Sequence, residues 1–204
     1  MEYDKLALPE VVAKTMAALQ ERKVFAQLAA DKNAALEAVR KLLPSQAEIM
    51  TGGSTTLEQI GFVDILKTGQ HPWQSFKDKI FAEPDPAKQG RLRQESCLAQ
   101  YFLGSVQAVT EQGEILIASN TGSQIPAYAF TSNNVIWVVG AQKIVPNLDE
   151  GLKRVWNYCL PLEDQRIKST GGAGSSVGKI LIFERENLPF RKFNLIFVNE
   201  VLGF

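Results

Sequence analysis

Val135-Ile136-Trp137-Val138-Val139, followed directly by Gly140-Ala141-Gln142-Lys143, decides how the rest of the chain is read. An unbroken apolar run leaves no polar face, so it marks a strand covered on both sides. Strands of that kind belong to sheets packed between helices, and the expected class is an α/β sandwich. A second apolar run, Ile115-Leu116-Ile117-Ala118, ends in the small polar loop Ser119-Asn120-Thr121-Gly122-Ser123-Gln124. Loops that leave parallel strands and open helices are where open α/β sheets bind ligands. Both loops are read as leaving strands of that kind.

Outward from these two runs, further elements follow the same logic. Val24 to Ala29 reads as a strand, and Asp31 caps a helix with the stripe Ala35, Leu36, Val39, Leu42 and Leu43. Pro9 opens an earlier helix through Val12, Met16 and Leu19. Glu48-Ile49-Met50-Thr51 is a strand that runs into Gly52-Gly53-Ser54-Thr55-Thr56 and a short helix with Leu57 and Ile60. Residues 61 to 84 are expected as short helical pieces with an exposed loop at His71-Pro72-Trp73. Asp85-Pro86 is expected to open one long helix through Leu92, Ala99, Phe102 and Leu103.

Val106 to Thr110 and Glu114 to Ala118 flank Glu111-Gln112-Gly113, a hairpin signal that makes the sheet mixed, not purely parallel. Asn147 to Glu150 has the capping-box pattern for a helix carrying Leu152, Val155, Trp156 and Cys159. Lys179 to Phe183 and Phe193 to Val198 read as two closing strands. No linker or repeat divides the chain, so residues 1–204 are expected to form one domain.

Lys plus Arg number 22 and Asp plus Glu 22, a balance without any basic run, which argues against nucleic acid or an anionic membrane as the main partner. No stretch reaches the roughly 18 apolar residues of a membrane span. Met1-Glu2-Tyr3-Asp4-Lys5 lacks the layout of a signal peptide, and the expected location is cytoplasmic. Cys97 and Cys159 sit among apolar neighbours and read as buried free thiols. With a single histidine and no ligand-like spacing, no metal site is expected, and no cofactor is assigned.

Glycine-rich segments at 51–56, 119–124, 140–143 and 170–178 are the candidate ligand loops, because bare backbone and small hydroxyls approach anions closely. The expected binding set is Gly53, Ser54, Thr55, Thr56, Asn120, Thr121, Gly122, Ser123, Gln124, Gln142 and Lys143. Ser54 or Thr55 serves equally well as a helix N-cap, and Lys143 as a solvated charge. Gly171 to Ser176 reads as a flexible connection or a lid. Glu58 and Glu111 are the carboxylates nearest these loops and the candidate acid, base or nucleophile, with an ordinary surface charge as the other reading of each. His71 lies apart from them.

Gly53-Ser54-Thr55-Thr56-Leu57-Glu58-Gln59-Ile60-Gly61 resembles a motif of the LUD (lactate utilisation) domain family. So do Ser119 to Gln124, Val138 to Val145 and the ending Val198-Asn199-Glu200-Val201-Leu202-Gly203-Phe204. The family is similar in fold to the ribose-5-phosphate isomerase, glucosamine-6-phosphate deaminase and CoA-transferase group. The resemblance implies a three-layer α/β/α, Rossmann-like sandwich with a mixed, mostly parallel sheet. It makes Gly53-Ser54-Thr55 the counterpart of a phosphate loop and Gln142-Lys143 that of a substrate-orienting serine-lysine pair, with Gln142 in place of the serine. The acidic loop of the isomerases has no full match, since Glu111-Gln112-Gly113 keeps one acid.

The resemblance further implies a tie to lactate or related organic acids, with other lactate-utilisation proteins as partners. The expected role is an accessory protein that binds a small anionic metabolite. The alternative is an enzyme of the sugar-phosphate isomerase, CoA-transferase or cyclo-ligase type. Sheet edges and an exposed Trp73 favour a homo-oligomer. The geometric condition is that Thr55, Thr121 and Lys143 face one cavity.

Overall fold

The structure is a computed structural model and describes residues 2–204. Its strands are β1 (Val24–Ala29), β2 (Glu48–Thr51), β3 (Gln74–Ser75), β4 (Tyr101–Gly104), β5 (Ala108–Thr110), β6 (Ile115–Ser119), β7 (Asn134–Gly140), β8 (Ile144–Val145), β9 (Lys179–Phe183) and β10 (Lys192–Val198). Its α-helices are α1 (Pro9–Glu21), α2 (Lys32–Leu42), α3 (Thr55–Gln59), α4 (Phe62–Thr68), α5 (Phe76–Ala82), α6 (Pro86–Glu95), α7 (Leu148–Arg154) and α8 (Leu160–Ser169).

Six strands form one sheet in the order β1-β10-β7-β4-β2-β3, and every pairing in it is parallel. Residues 135–140 of β7 are all buried. Successive side chains of a strand point to opposite faces, so Val135, Trp137 and Val139 enter one core with Val12, Leu19 and Phe193. Ile136 and Val138 enter the other with Ala35, Val39, Leu57 and Phe62. Helices α2, α3 and α4 cover the second face and α1 the first, which gives the α/β/α layering. Local signals start these helices as expected: Asp31 Oδ1 accepts from the Ala34 N–H at 2.8 Å, and Asn147 Oδ1 from that of Glu150 at 3.0 Å.

The hairpin does not join the main sheet. β5 and β6 pair antiparallel, with Ala108 opposite Leu116, inside a separate sheet of order β8-β5-β6-β9. The pairings taken together are mixed and mostly parallel, but the antiparallel ones are confined to this small sheet. Ile115 and Ile117 face the core that holds Trp137, while Leu116 faces Val145, Leu148 and Leu152. The hairpin is therefore a layer covered on both sides, not an edge. As a result the Ser119–Gln124 loop leaves an antiparallel strand, contrary to the reading of the sequence.

Two further expectations change. The helix opened by Pro86 stops at Glu95, a 3-10 turn follows at Ser96–Leu98, and Phe102 and Leu103 lie in β4. α6 buries none of its residues, so it has no apolar stripe to extend. Phe102 and Leu103, adjacent in sequence, enter opposite cores, which a strand permits and a helix does not. Trp73 is 8% exposed, not a surface residue: it packs on Phe62 and His71, with ring centroids 5.4 and 5.5 Å away. Its loop is pinned beside β2 by Gln46 N–H to Pro72 O at 2.8 Å and Gln74 N–H to Ala47 O at 2.9 Å. Trp73 thus offers no surface for self-association. Cys97 and Cys159 are buried and free. Among the described residues no helix is long and apolar enough to cross a membrane.

Candidate functional site

The segments that follow four adjacent parallel strands converge on one cavity of about 230 Å³. Gly53, Ser54, Thr55 and Thr56 follow β2, Ser105 follows β4, Lys143 follows β7, and Gly203 and Phe204 follow β10. This is the carboxyl rim of the sheet, where strand ends leave backbone and short side chains free to meet a ligand. The facing wall comes from Ser119 at the end of β6, from Asn120, Thr121 and Gln124 after it, and from Cys159, Glu163 and Arg166 at α8 and the turn before it. Ser175 and Ser176 close the rim, tied down by the Ser175 N–H to Asp164 Oδ1 at 2.9 Å and Ser176 Oγ to Asn120 Oδ1 at 3.0 Å.

Lys143 forms the floor. It ends the 3-10 turn Ala141–Lys143, all of it buried, and is itself 1% exposed. Its Nζ lies 3.2 Å from Thr56 Oγ1 and 3.1 Å from Ser105 Oγ, and the two hydroxyls are 3.3 Å apart. No carboxylate pairs with it among the described residues. Burial, helped by the nearby Arg154 charge, pushes its ammonium down to about 7.

Arg154, at the end of α7, is fully buried and also lacks a carboxylate partner among the described residues. Its Nη1 donates to Gln107 O and to Cys159 Sγ, its face lies over Tyr158, and Nε and Nη2 find no partner among the described residues. Arg166, by contrast, is neutralised in a bidentate pair with Glu163 at 2.7 and 2.8 Å. The site therefore carries buried positive charge that the described residues do not balance.

A wide π-type turn, Val155–Cys159, places Cys159 on the cavity wall. Pro161 explains it: proline has no N–H for the preceding turn, and the helix widens there. The chain end is held by Gln142, whose Nε2 donates to Leu202 O at 2.8 Å and Gly203 O at 3.4 Å. Gly203 has φ +59, and a Cβ there would stand 2.3 Å from Thr56 Oγ1 and 3.0 Å from Lys143 Nζ. The close approach needs glycine.

Of the residues chosen from sequence, Gly53, Ser54, Thr55, Thr56, Asn120, Thr121, Gln124 and Lys143 line the cavity. Ser54 is also the N-cap of α3, accepting from the Leu57 N–H at 3.2 Å. Gly122, Ser123 and Gln142 stand behind the lining: Gly122 takes a positive φ of 84°, and the Ser123 carbonyl accepts from Cys97 Sγ. Glu58 is exposed and outside the lining, near enough to Arg166 to favour its charged form. The structure does not bring Glu111 to the cavity; its carboxylate pairs with Lys14 at 2.7 Å in a separate recess. His71 is packed with Trp73, also elsewhere.

Ser105, Arg154, Cys159, Glu163, Arg166 and Gly203 were not chosen from sequence. Recognising Tyr101–Gly104 as a strand would have placed Ser105 at a strand end. Leu160-Pro161 was the signal for the widened turn.

Fold and cavity together define an α/β/α protein with a candidate site at the carboxyl rim of its parallel sheet. The family model for the LUD domain matches residues 12–179, and the chain belongs to the LUD domain family. A solved structure, a DUF162 family protein from Deinococcus radiodurans, is similar in fold, with 13% identity and a TM-score of 0.57 over 96% of this chain and 100% of that one. A comparison with curated proteins returned no match.

Proposed function

We propose that the cavity binds a small anionic metabolite, a carboxylate or phosphate, with Lys143 as its main electrostatic contact and the Thr55, Thr56 and Thr121 hydroxyls as further donors. The observation that carries this reading is Lys143, buried on the cavity floor without a carboxylate partner among the described residues, with the equally unpaired guanidinium of Arg154 buried behind the lining. Uncompensated buried charge is costly, so an anion that enters such a site is strongly favoured. A cavity of about 230 Å³ suits a molecule of a few carbon atoms, not a dinucleotide. The family resemblance makes lactate or a related organic acid the first carboxylate to try. The same resemblance supports an accessory role alongside other lactate-utilisation proteins, with the cytosol as the proposed setting.

The test is thermal unfolding with inorganic phosphate, lactate and pyruvate. A ligand at about a hundredfold its Kd adds about 2.7 kcal/mol, or roughly 5–10 °C in Tm for a chain of this size. Lys143→Met keeps the stem and removes the charge, and is expected to abolish the shift. Because only the charged ammonium attracts an anion, affinity should weaken as pH rises above about 7. No shift from any of the three at pH 6, or an equal shift in Lys143→Met, refutes the reading.

A further inference from the structure

Ser105 has a placement that anion binding alone does not require. It follows β4 at the rim of the sheet, is half-buried, and opens onto the cavity. Lys143 Nζ lies 3.1 Å from its Oγ and is held on its other side by Thr56 Oγ1 at 3.2 Å. A hydroxyl, a base within hydrogen-bond reach and a third group that orients the base is the arrangement by which hydroxyl nucleophiles are activated.

We propose that Ser105 and Lys143 form a serine–lysine dyad that hydrolyses a small ester or thioester, releasing the carboxylic acid that the cavity holds. The choice of acyl group rests on the anion-binding reading above. Ser105 Oγ attacks the acyl carbonyl carbon while neutral Lys143 takes the hydroxyl proton. An Oγ–C bond forms, the bond from carbon to the alcohol or thiol breaks, and Lys143 returns the proton to that leaving group. Water then attacks the acyl carbon of the acyl-serine, a bond from its oxygen to that carbon forms and the carbon–Oγ bond breaks. One water proton passes through Lys143 to Ser105 Oγ, and the acid leaves as a carboxylate after losing its remaining proton to solvent.

The surroundings suit a lysine that works as a base. Neither of its hydrogen-bond partners is a carboxylate: Lys143 Nζ donates to both hydroxyls, and once neutral its lone pair can accept from Ser105 Oγ over the same distance. The groups that face it across packed elements are Arg154 on α7, which disfavours its charged form, and Cys159, which opposes that effect. Glu163 and Arg166 on α8 share the cavity but neutralise each other, and Glu58 on α3 points to solvent.

The test is labelling of the whole chain with a fluorophosphonate ester, followed by intact mass and peptide mapping. Attack of Ser105 on phosphorus expels fluoride and leaves one stable adduct. The expected result is a single adduct on Ser105, none in Ser105→Ala, and labelling slowed about 100-fold or more in Lys143→Met. In the wild type the rate should rise with pH through about 7 and then level off. Mapping the wild-type adduct does not depend on how the variants fold, and their melting curves report that separately.

No adduct, an adduct on another residue, or unchanged labelling in Lys143→Met overturns the dyad. A parallel melting experiment on the wild type with inorganic phosphate at pH 6 separates the two readings. A phosphate shift without an adduct removes the dyad and leaves anion binding in place; an adduct without any anion shift does the reverse for binding.

Discussion

Lys143 is a lysine taken out of water without a carboxylate among the described residues to receive it. Its fate depends on what the flanking residues provide: two hydroxyls at hydrogen-bond distance, a guanidinium nearby, and a glycine at Gly203 that leaves room beside the amine. The shift has a thermodynamic consequence. In the folded chain the ammonium loses its proton near 7, while in the unfolded chain it keeps it to about 10.4. Between those values the unfolded state binds the extra proton at this group, so the contribution of Lys143 to stability rises with pH across that window. Buried Cys97, Cys159 and Tyr128, which hold their protons longer when folded, contribute in the opposite sense. Below about 7 both states are charged and the folded chain carries the whole penalty. The urea midpoint of the wild type relative to that of Lys143→Met should climb between about pH 7 and pH 10. Parallel curves would mean that Lys143 is charged and compensated in the folded protein.

The short elements of this chain are held by side chains more than by their own length. α3 has only five residues, too few to persist alone, and depends on the Ser54 cap and on Leu57, which is fully buried. A second example is the π-type turn Ala127–Thr131. Arg191 donates to Ala127 O, Tyr128 O, Ala129 O and Ser132 O at 2.9–3.1 Å, and pairs with Glu186 at 2.7 Å. One guanidinium thus satisfies three carbonyls of the irregular turn and the one just after it, with its charge balanced by a carboxylate that is itself buried. Arg191→Met is expected to lose about 3–5 kcal/mol, because it leaves Glu186 buried and unpaired. Arg191→Met with Glu186→Gln should recover part of that loss. Chemical denaturation of both variants measures it, and equal loss in the two would mean that the orphaned carbonyls dominate.

Taken whole, the molecule is a parallel sheet with a second, smaller sheet laid on one of its faces, and the joint between them is aromatic. Trp137 of β7 meets Tyr128, Phe183 of β9 and Phe193 of β10 with ring centroids 5.1–5.5 Å apart. It is among the largest fully buried side chains. Trp137→Ala removes the ring that both sheets share and is expected to cost about 3–5 kcal/mol. Because the small sheet also carries the Ser119–Gln124 wall of the cavity, the same variant should weaken anion binding without touching the lining. Unfolding midpoints and the phosphate-induced Tm shift check the two halves of that statement.

Local pattern was enough to identify β7, β1, β10 and the caps at Asp31 and Asn147, and it narrowed the cap of α3 to Ser54 or Thr55. These depend on short-range signals: an apolar run long enough to demand cover on both faces, and hydroxyls or carboxylates placed to meet free helix N–H groups. Phe102 and Leu103 were misassigned because a helix and a strand both accept an apolar pair, and only the two cores on either side of the sheet distinguish them. The hairpin could be read, but not the sheet it would enter, since strand pairing is settled by which faces remain to be covered. Burial of Lys143, the contacts of Arg154 with Gln107 and the approach of Ser105 to Lys143 join residues dozens of positions apart. Desolvation and proximity of that kind exist only once the chain has closed on itself.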